Sequence, residues 1–212
     1  LHGGSAPTIA RALELVIAVA DLLDFAHGRG LLHRDIKPEN LFLHRTPDGD
    51  EALKVLDFGI AKFGGAAAQP ASELTLAGRV LGPPRYRGPE RRRGDAYDGR
   101  SDVYSLGVIL YELAVGLSPL GTPGRTPWEV MARHMNHRPR PLHEIDATLP
   151  RSLTALVERM LAKEPSDRPT AEELGRALRG VLTELRADPA LAGRVAYAVA
   201  IGVAETLGGE PR

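Results

Sequence analysis

The sequence contains no cysteine among its 212 residues, which excludes disulfide bonds, cysteine zinc sites and thiol nucleophiles. Neither sign of charge is in excess: Lys and Arg together number 27, as do Asp and Glu, so the formal net charge is zero. We therefore expect no nucleic-acid partner of the kind that strongly basic domains bind. The proportions of hydrophobic residues, 43%, and charged residues, 25%, are typical of a folded globular protein.

Long apolar stretches are also missing. The first apolar run is interrupted by Arg11 and Glu14, which argues against a secretory signal peptide. Residues 195–204 carry no charge, but this stretch is about half the length of roughly 20 residues that a membrane-spanning helix needs. We expect no membrane span in this chain and a cytoplasmic location.

Lysine is scarce, since only four of the 27 basic residues are lysines. Together with the many alanines, this bias indicates a GC-rich coding sequence and hence a bacterial source. The chain begins with Leu1 and not with Met, which suggests a fragment of a longer protein.

Hydrophobic periodicity predicts a mainly helical chain with one small β-hairpin. The first helix begins after Thr8 and ends at Gly28 and Gly30, because apolar residues recur near 3.6-residue spacing between them. Two short apolar runs, at 41–43 and 53–56, flank a Pro-Asp-Gly turn and predict the hairpin.

The C-terminal half of the chain contains further helical patterns. Residues 103–113 are apolar on nearly every face, which predicts a buried central helix. A shorter helix is expected over 128–135, and Thr170 with Glu173 forms a capping box before another apolar stripe. Residues 190–207 predict a weakly amphipathic tail helix.

The most informative stretch runs from His33 to Asn40 and reads His-Arg-Asp-Ile-Lys-Pro-Glu-Asn. It precedes the first hairpin strand, and Asp57-Phe58-Gly59 follows the second. This order resembles the catalytic and magnesium loops of eukaryotic-type (Hanks-type) serine/threonine protein kinases. The resemblance extends over residues 8–185 and implies an α+β, mostly α fold: a protein-kinase-like C-terminal lobe whose hairpin carries both loops.

The resemblance assigns roles in phosphoryl transfer from ATP. Asp35 would accept the proton of the substrate hydroxyl, and Lys37 would place a cation on the transferring phosphoryl group. Asn40 and Asp57 would bind Mg²⁺, or Mn²⁺, together with phosphate oxygens. Phe42 lies where the family has an apolar floor under adenine, although ordinary core packing explains it equally well.

Other residues match regulatory and specificity features of the family. The lysine two residues after Asp35 implies a protein substrate with serine or threonine hydroxyls. Arg34 and Lys62 would contact a phosphate on the following loop, for which Thr75 is the best acceptor and Ser72 the second. Both hydroxyls also fit a plain loop, and for Ser72 this interpretation is preferred.

The resemblance also implies structural roles. Glu90 and Arg168 match a Glu–Arg pair of the C-terminal lobe, and Asp102 matches the aspartate that holds the catalytic-loop backbone. We expect a partial kinase domain at 1–185 and a helical tail of unknown function at 186–212.

The sequence departs from the family pattern in two places. No G-x-G-x-x-G loop precedes His33, and the strand lysine with its helix glutamate is also missing. An N-terminal lobe is therefore expected upstream, and the chain alone is expected to be inactive. Pro83 stands where a threonine hydroxyl normally binds Asp35 and Lys37, and proline has neither hydroxyl nor backbone donor.

Two alternatives to a protein kinase remain. One is a pseudokinase that serves as a regulatory protein-binding module, and the other is a small-molecule phosphotransferase. Retention of Asp35, Lys37, Asn40 and Asp57 favours catalysis, whereas Pro83 favours the pseudokinase. The loop over 79–93 contains six arginines. They are compatible with acidic substrates or nucleic acid, but a solvated face is the preferred explanation.

Overall fold

The computed structural model of the chain describes residues 7–45, 51–58, 84–90, 97–121, 126–194, 196–197 and 202–205. Its helices of four or more residues are α1 Ile9–His27, α2 Gly99–Val115, α3 Pro127–Asn136, α4 Leu142–Ile145, α5 Arg151–Met160, α6 Ala171–Ala187 and α7 Pro189–Ala192. Its strands are β1 Leu41–Arg45, β2 Glu51–Val55 and β3 Gly202–Glu205. Short 3₁₀ turns cover Pro38–Asn40, Pro84–Tyr86 and Pro165–Asp167.

The first helix begins and ends where the sequence predicts. The Thr8 hydroxyl accepts a hydrogen bond from the Arg11 amide, at 3.2 Å, and satisfies one of the open donors of the first turn. Gly28 caps the C-terminal end, and Gly30 has a φ of 72°. That left-handed conformation favours glycine, and the chain turns there towards the segment 33–40.

The helix α2 is the centre of the core. Every residue from Ser101 to Val115 is buried, as expected from a sequence that is apolar on nearly all faces. Asp98 caps its N-terminus by accepting from the Arg100 amide. Gly116, with a φ of 70°, ends it.

The helix α1 packs against α2 and, most extensively, against α6. Its apolar face is fully buried in this contact. Ion pairs border the contact on the solvent side, with Arg179 2.6 Å from Asp21 and Arg186 2.7 Å from Glu14. The two ends of the kinase-like region are thereby held together.

Replacing Gly107 with alanine is expected to destabilise the protein by about 1–3 kcal/mol, because the core has no space for the added methyl group. An ideal Cβ there would lie 2.8 Å from the Met160 Cβ and 3.1 Å from the Leu161 Cδ2. Gly180→Ala in α6 is the matched control, since nothing lies within 4 Å of its Cβ position. That change should stabilise by roughly 0.5–1 kcal/mol. Urea unfolding of both variants gives the comparison, and equal midpoints would refute this account of α2 packing.

The predicted hairpin is confirmed. Strands β1 and β2 pair antiparallel, with Leu41 opposite Val55 and Arg45 opposite Glu51. The third strand, β3, pairs with β1 in parallel, from Phe42 opposite Gly202 onward, so the strand order is β2-β1-β3.

The predicted tail helix is wrong. Of the described residues after Asp188, Pro189–Ala192 form the four-residue helix α7, and Gly202–Glu205 form the strand β3. The Ile9 amide donates to the Arg194 carbonyl. The Ala196 amide donates to the Pro7 carbonyl, and the Tyr197 amide donates to the Leu113 carbonyl in α2. The weak helical pattern does not outweigh these tertiary backbone bonds, and the edge of β1 offers further partners to residues 202–205. Among the described residues, no helix combines the length and apolarity needed to cross a membrane.

Candidate active site

The backbone of the segment 33–40, the predicted catalytic loop, is held by Asp102, a fully buried residue in the first turn of α2. Its carboxylate accepts from the amides of His33, at 2.9 Å, and Arg34, at 2.8 Å. The Tyr97 hydroxyl donates to it at 2.7 Å, and the His27 Nε2 lies 2.9 Å away. Burial alone would raise the pKa of Asp102, but these hydrogen bonds outweigh burial and hold it below its ordinary value. The buried charge is therefore compensated by the loop that it positions.

His33 connects the catalytic loop to the end of β2. Its imidazole Nδ1 accepts from the Asp35 amide at 3.3 Å, so Nε2 carries the proton and donates to the Leu56 carbonyl at 2.9 Å. The ring is buried and lies 4.7 Å, centroid to centroid, from Phe58. Burial lowers the pKa of His33, which keeps the ring neutral. Because Leu56 and Phe58 flank Asp57, this contact joins the two predicted loops.

Asp35 and Lys37, the predicted catalytic pair, are in direct contact. The Lys37 Nζ donates to the Asp35 Oδ2 at 2.7 Å, and both side chains are more than one-third exposed. Asn40 donates from Nδ2 to the Asp35 carbonyl at 2.8 Å. The Asp35 backbone is thus fixed from both sides, while its carboxylate is reachable from solvent.

The hairpin brings Asn40 and Asp57 to the same end of the sheet. The Leu56 amide donates to the Asn40 carbonyl at 2.9 Å, which places Asp57 one residue beyond this bond. Asp57 is exposed and has a φ of 57°, and Arg34 has a φ of 67°. Non-glycine residues in this region cost free energy and are concentrated at functional sites.

These two residues suit a divalent cation that also binds phosphate. Since Asn40 uses Nδ2 for Asp35, its Oδ1 is the atom that a cation would contact. Carboxylate and amide oxygens are the ligands that Mg²⁺ accepts. In the part of the chain that the structure describes, no group of three or more His, Asp or Glu side chains forms a metal site. A metal at Asn40 and Asp57 would therefore need further oxygen ligands from water or from a bound phosphate.

The segment 84–90 is joined to the core at Glu90. Both oxygens of this buried carboxylate accept from Arg168, at 3.0 and 2.8 Å. Arg168 also donates to backbone carbonyls, including that of Ala162 at 2.8 Å. Burial raises the pKa of Glu90, but Arg168 outweighs burial and the pKa lies below its ordinary value. This pair fixes the segment against the helices that follow it.

A second buried carboxylate, Glu112 in α2, lies under the same segment and was not anticipated from the sequence. The Tyr86 hydroxyl donates to its Oε2 at 3.0 Å, and the Arg85 guanidinium lies 3.0 Å from its Oε1. Burial raises the pKa of Glu112, and Arg85 opposes this shift. The one available signal was an acidic residue near the end of the largely apolar stretch 103–113.

The other predicted site residues have varied placements. Phe42 is half-buried in β1, opposite Lys54. The Arg34 guanidinium lies 5.9 Å from the Tyr97 ring centroid. Lys62, Thr75, Ser72 and Pro83 lie outside the described residues.

The sequence profile of the protein kinase domain matches residues 6–177 of this chain. The chain belongs to the protein kinase family. Among its relatives are the serine/threonine-protein kinase pkn3 of Myxococcus xanthus and the serine/threonine-protein kinase PknB of Mycobacterium tuberculosis, each 38% identical to the matched part of this kinase domain. The matches cover 79% and 82% of this chain but only 30% and 26% of the relatives, so the chain spans less than a third of their length.

The structural comparison agrees with this membership. The kinase domain of PknI from Mycobacterium tuberculosis superimposes with a TM-score of 0.58 at 27% sequence identity, covering 86% of this chain and 58% of that domain. The expected eukaryotic-type bacterial kinase family and the α+β, mostly helical fold class are both confirmed. Members of this family use ATP and a divalent metal.

Proposed function

We propose that this chain is the C-terminal lobe of a serine/threonine protein kinase, which transfers the γ-phosphate of ATP to serine or threonine hydroxyls of proteins. The supporting observation is the contact between Asp35 and Lys37, at 2.7 Å, beside a hairpin end that carries Asn40 and Asp57. Phosphoryl transfer requires an oriented hydroxyl and compensation of the charge on the transferring group, and these residues supply both.

In this proposal Asp35 orients the hydroxyl and accepts its proton as the oxygen attacks phosphorus. Lys37 stabilises negative charge on the transferring group, at the position that its contact with Asp35 defines. Asn40 and Asp57 would hold Mg²⁺, with Mn²⁺ as a substitute, and the cation would neutralise phosphate charge when bound. Phe42 would contact adenine from β1.

Regulation in this proposal depends on the loop between Asp57 and the segment 84–90. Arg34 follows His33, and its backbone amide donates to the Asp102 carboxylate at 2.8 Å. A phosphate on Thr75 would attract this cation and Lys62. ATP as donor assigns the reaction to the cytoplasm. The four residues assigned to phosphoryl transfer are all present, which favours a catalytic protein over a protein-binding module; they are Asp35, Lys37, Asn40 and Asp57.

We expect Mn²⁺ with a non-hydrolysable ATP analogue to broaden the amide NMR signals of residues 40–42 and 56–58 in the isolated chain. Paramagnetic broadening detects weak binding, and weak binding is expected because no residue of this chain is assigned to cover the nucleotide. Asp57→Ala should abolish the local broadening, whereas Asp24→Asn, on the exposed face of α1, should leave it unchanged. Broadening that spares both ranges would refute the assigned cation site.

A further inference from the structure

The segment 84–90 carries two arginines with different partners: Arg85 faces the buried Glu112, and Arg87 faces Asp35. Arg85 and Tyr86 both bind Glu112, each at 3.0 Å. The Glu112 side chain is only 7% exposed. Because its two oxygens already face a guanidinium and a hydroxyl of its own chain, a basic substrate residue would have to displace Arg85 to bind there.

Arg87 lies on the catalytic side of the same segment. Its guanidinium is 3.9 Å from the Asp35 Oδ1, whereas Lys37 contacts the other oxygen, Oδ2, at 2.7 Å. Two cations thus approach one carboxylate.

The position of Arg87 is fixed by contacts on both sides of it. Tyr86 binds Glu112, and Glu90 binds Arg168. Gly88 permits this arrangement, because a Cβ at that position would overlap the Glu90 carboxylate. A cation on such a fixed turn loses less conformational entropy on binding than one on an unrestrained loop.

We infer that Arg87 selects protein substrates that carry an acidic residue directly beside the acceptor serine or threonine. The inference rests on the proposed function, since it takes Asp35 as the group that binds the acceptor hydroxyl. Successive Cα atoms are about 3.8 Å apart, so a neighbour of the acceptor is within reach of a guanidinium about 4 Å from Asp35. A carboxylate is the ligand whose planar geometry and charge match arginine.

The test measures peptide binding to the isolated chain in the absence of nucleotide. Three blocked peptides have the sequence Gly-Gly-X-Ser-X-Gly-Gly, with X as Asp, Ala or Lys, and are titrated into the ¹⁵N-labelled protein. We expect the Asp peptide to bind about tenfold more tightly than the Ala peptide and to shift the amides of residues 85–88. The preference should weaken as salt is added, because this arginine is partly exposed.

Variants assign the preference to one side chain. Arg87→Ala should reduce the difference between Asp and Ala peptides to less than twofold. Arg87→Lys, which keeps the charge but not the planar geometry, should retain part of the difference. Arg87→Glu should favour the Lys peptide. Arg176→Ala is the matched control, since this arginine is exposed on α6 and pairs with Glu172. It should bind all three peptides as the unmodified chain does.

Several results would overturn the inference. One is equal binding of the three peptides, and another is an Asp preference that survives Arg87→Glu. A third is binding of a short oligonucleotide to residues 85–88 more tightly than the Asp peptide, which would indicate a nucleic-acid surface.

The failure of this inference is distinguishable from that of the proposed function. Selective peptide binding, together with no phosphoryl transfer by a form of the protein that carries an N-terminal lobe, would refute the proposed function and retain the acidic specificity as a binding property. Transfer to serine without a charge preference would do the opposite.

Discussion

Replacing Asp35 with asparagine is expected to lower phosphoryl transfer by about 10²–10⁴-fold, the usual contribution of a general base. The substitution keeps the shape of the side chain but removes the negative charge that Lys37 and Arg87 approach. Steady-state kinetics on a serine peptide, with a form of the protein that carries an N-terminal lobe, measures the effect. The loss should appear in kcat, because Asp35 is not assigned to bind ATP.

The control for this experiment is Asp24→Asn, which makes the same chemical change on an exposed face of α1. Thermal unfolding of both variants should match that of the unmodified protein, since Asp35 is more than one-third exposed. Turnover by Asp35→Asn at a near-normal rate would refute the role assigned to Asp35.

Replacing Arg168 with alanine should destabilise the protein by about 3–5 kcal/mol, because the Glu90 carboxylate would remain buried without its partner. Both side chains are almost completely inaccessible, and two hydrogen bonds join them. Arg168 also binds backbone carbonyls, whose loss adds to the cost. Urea unfolding monitored by circular dichroism gives the free energy of unfolding.

Two further variants distinguish the effect of breaking the buried ion pair from the effect of removing any arginine. Arg176→Ala removes an arginine from an exposed ion pair on α6 and should change stability by no more than about 0.5 kcal/mol. The double change Glu90→Leu with Arg168→Met removes both charges and should recover part of the loss. An unchanged unfolding midpoint for Arg168→Ala would contradict the expected contribution of this pair.

The parts of the fold that could be predicted from the sequence are those whose signals are local. The start of α1 after Thr8 and the pairing of β1 with β2 follow from capping, periodicity and turn signals that lie next to one another in the sequence. The prediction of a tail helix was wrong because the conformation of the tail depends on partners that are distant in sequence. One example is the Leu113 carbonyl, which accepts from the Tyr197 amide. No local pattern encodes such a bond.

In the candidate site, too, the contacts between residues close in sequence could be predicted, and those between distant residues could not. Asp35 and Lys37 are two residues apart and lie in one recognisable motif, and their contact follows from that spacing. The contacts of His27 and Tyr97 with Asp102, and of Arg85 with Glu112, join separate parts of the chain. The motif gave no information on these partners, because they act through the tertiary packing around α2.

The packing of α1 against α6 has a consequence for how the protein is made. Roughly 140 residues separate the end of α1 from the start of α6. At about 5–20 residues per second of translation, the apolar face of α1 leaves the ribosome roughly 7–30 s before its main partner exists. During this interval the nascent chain exposes a helix surface that chaperones recognise. Stalled or prematurely terminated synthesis between the two helices should therefore yield an aggregating product and not a smaller folded one.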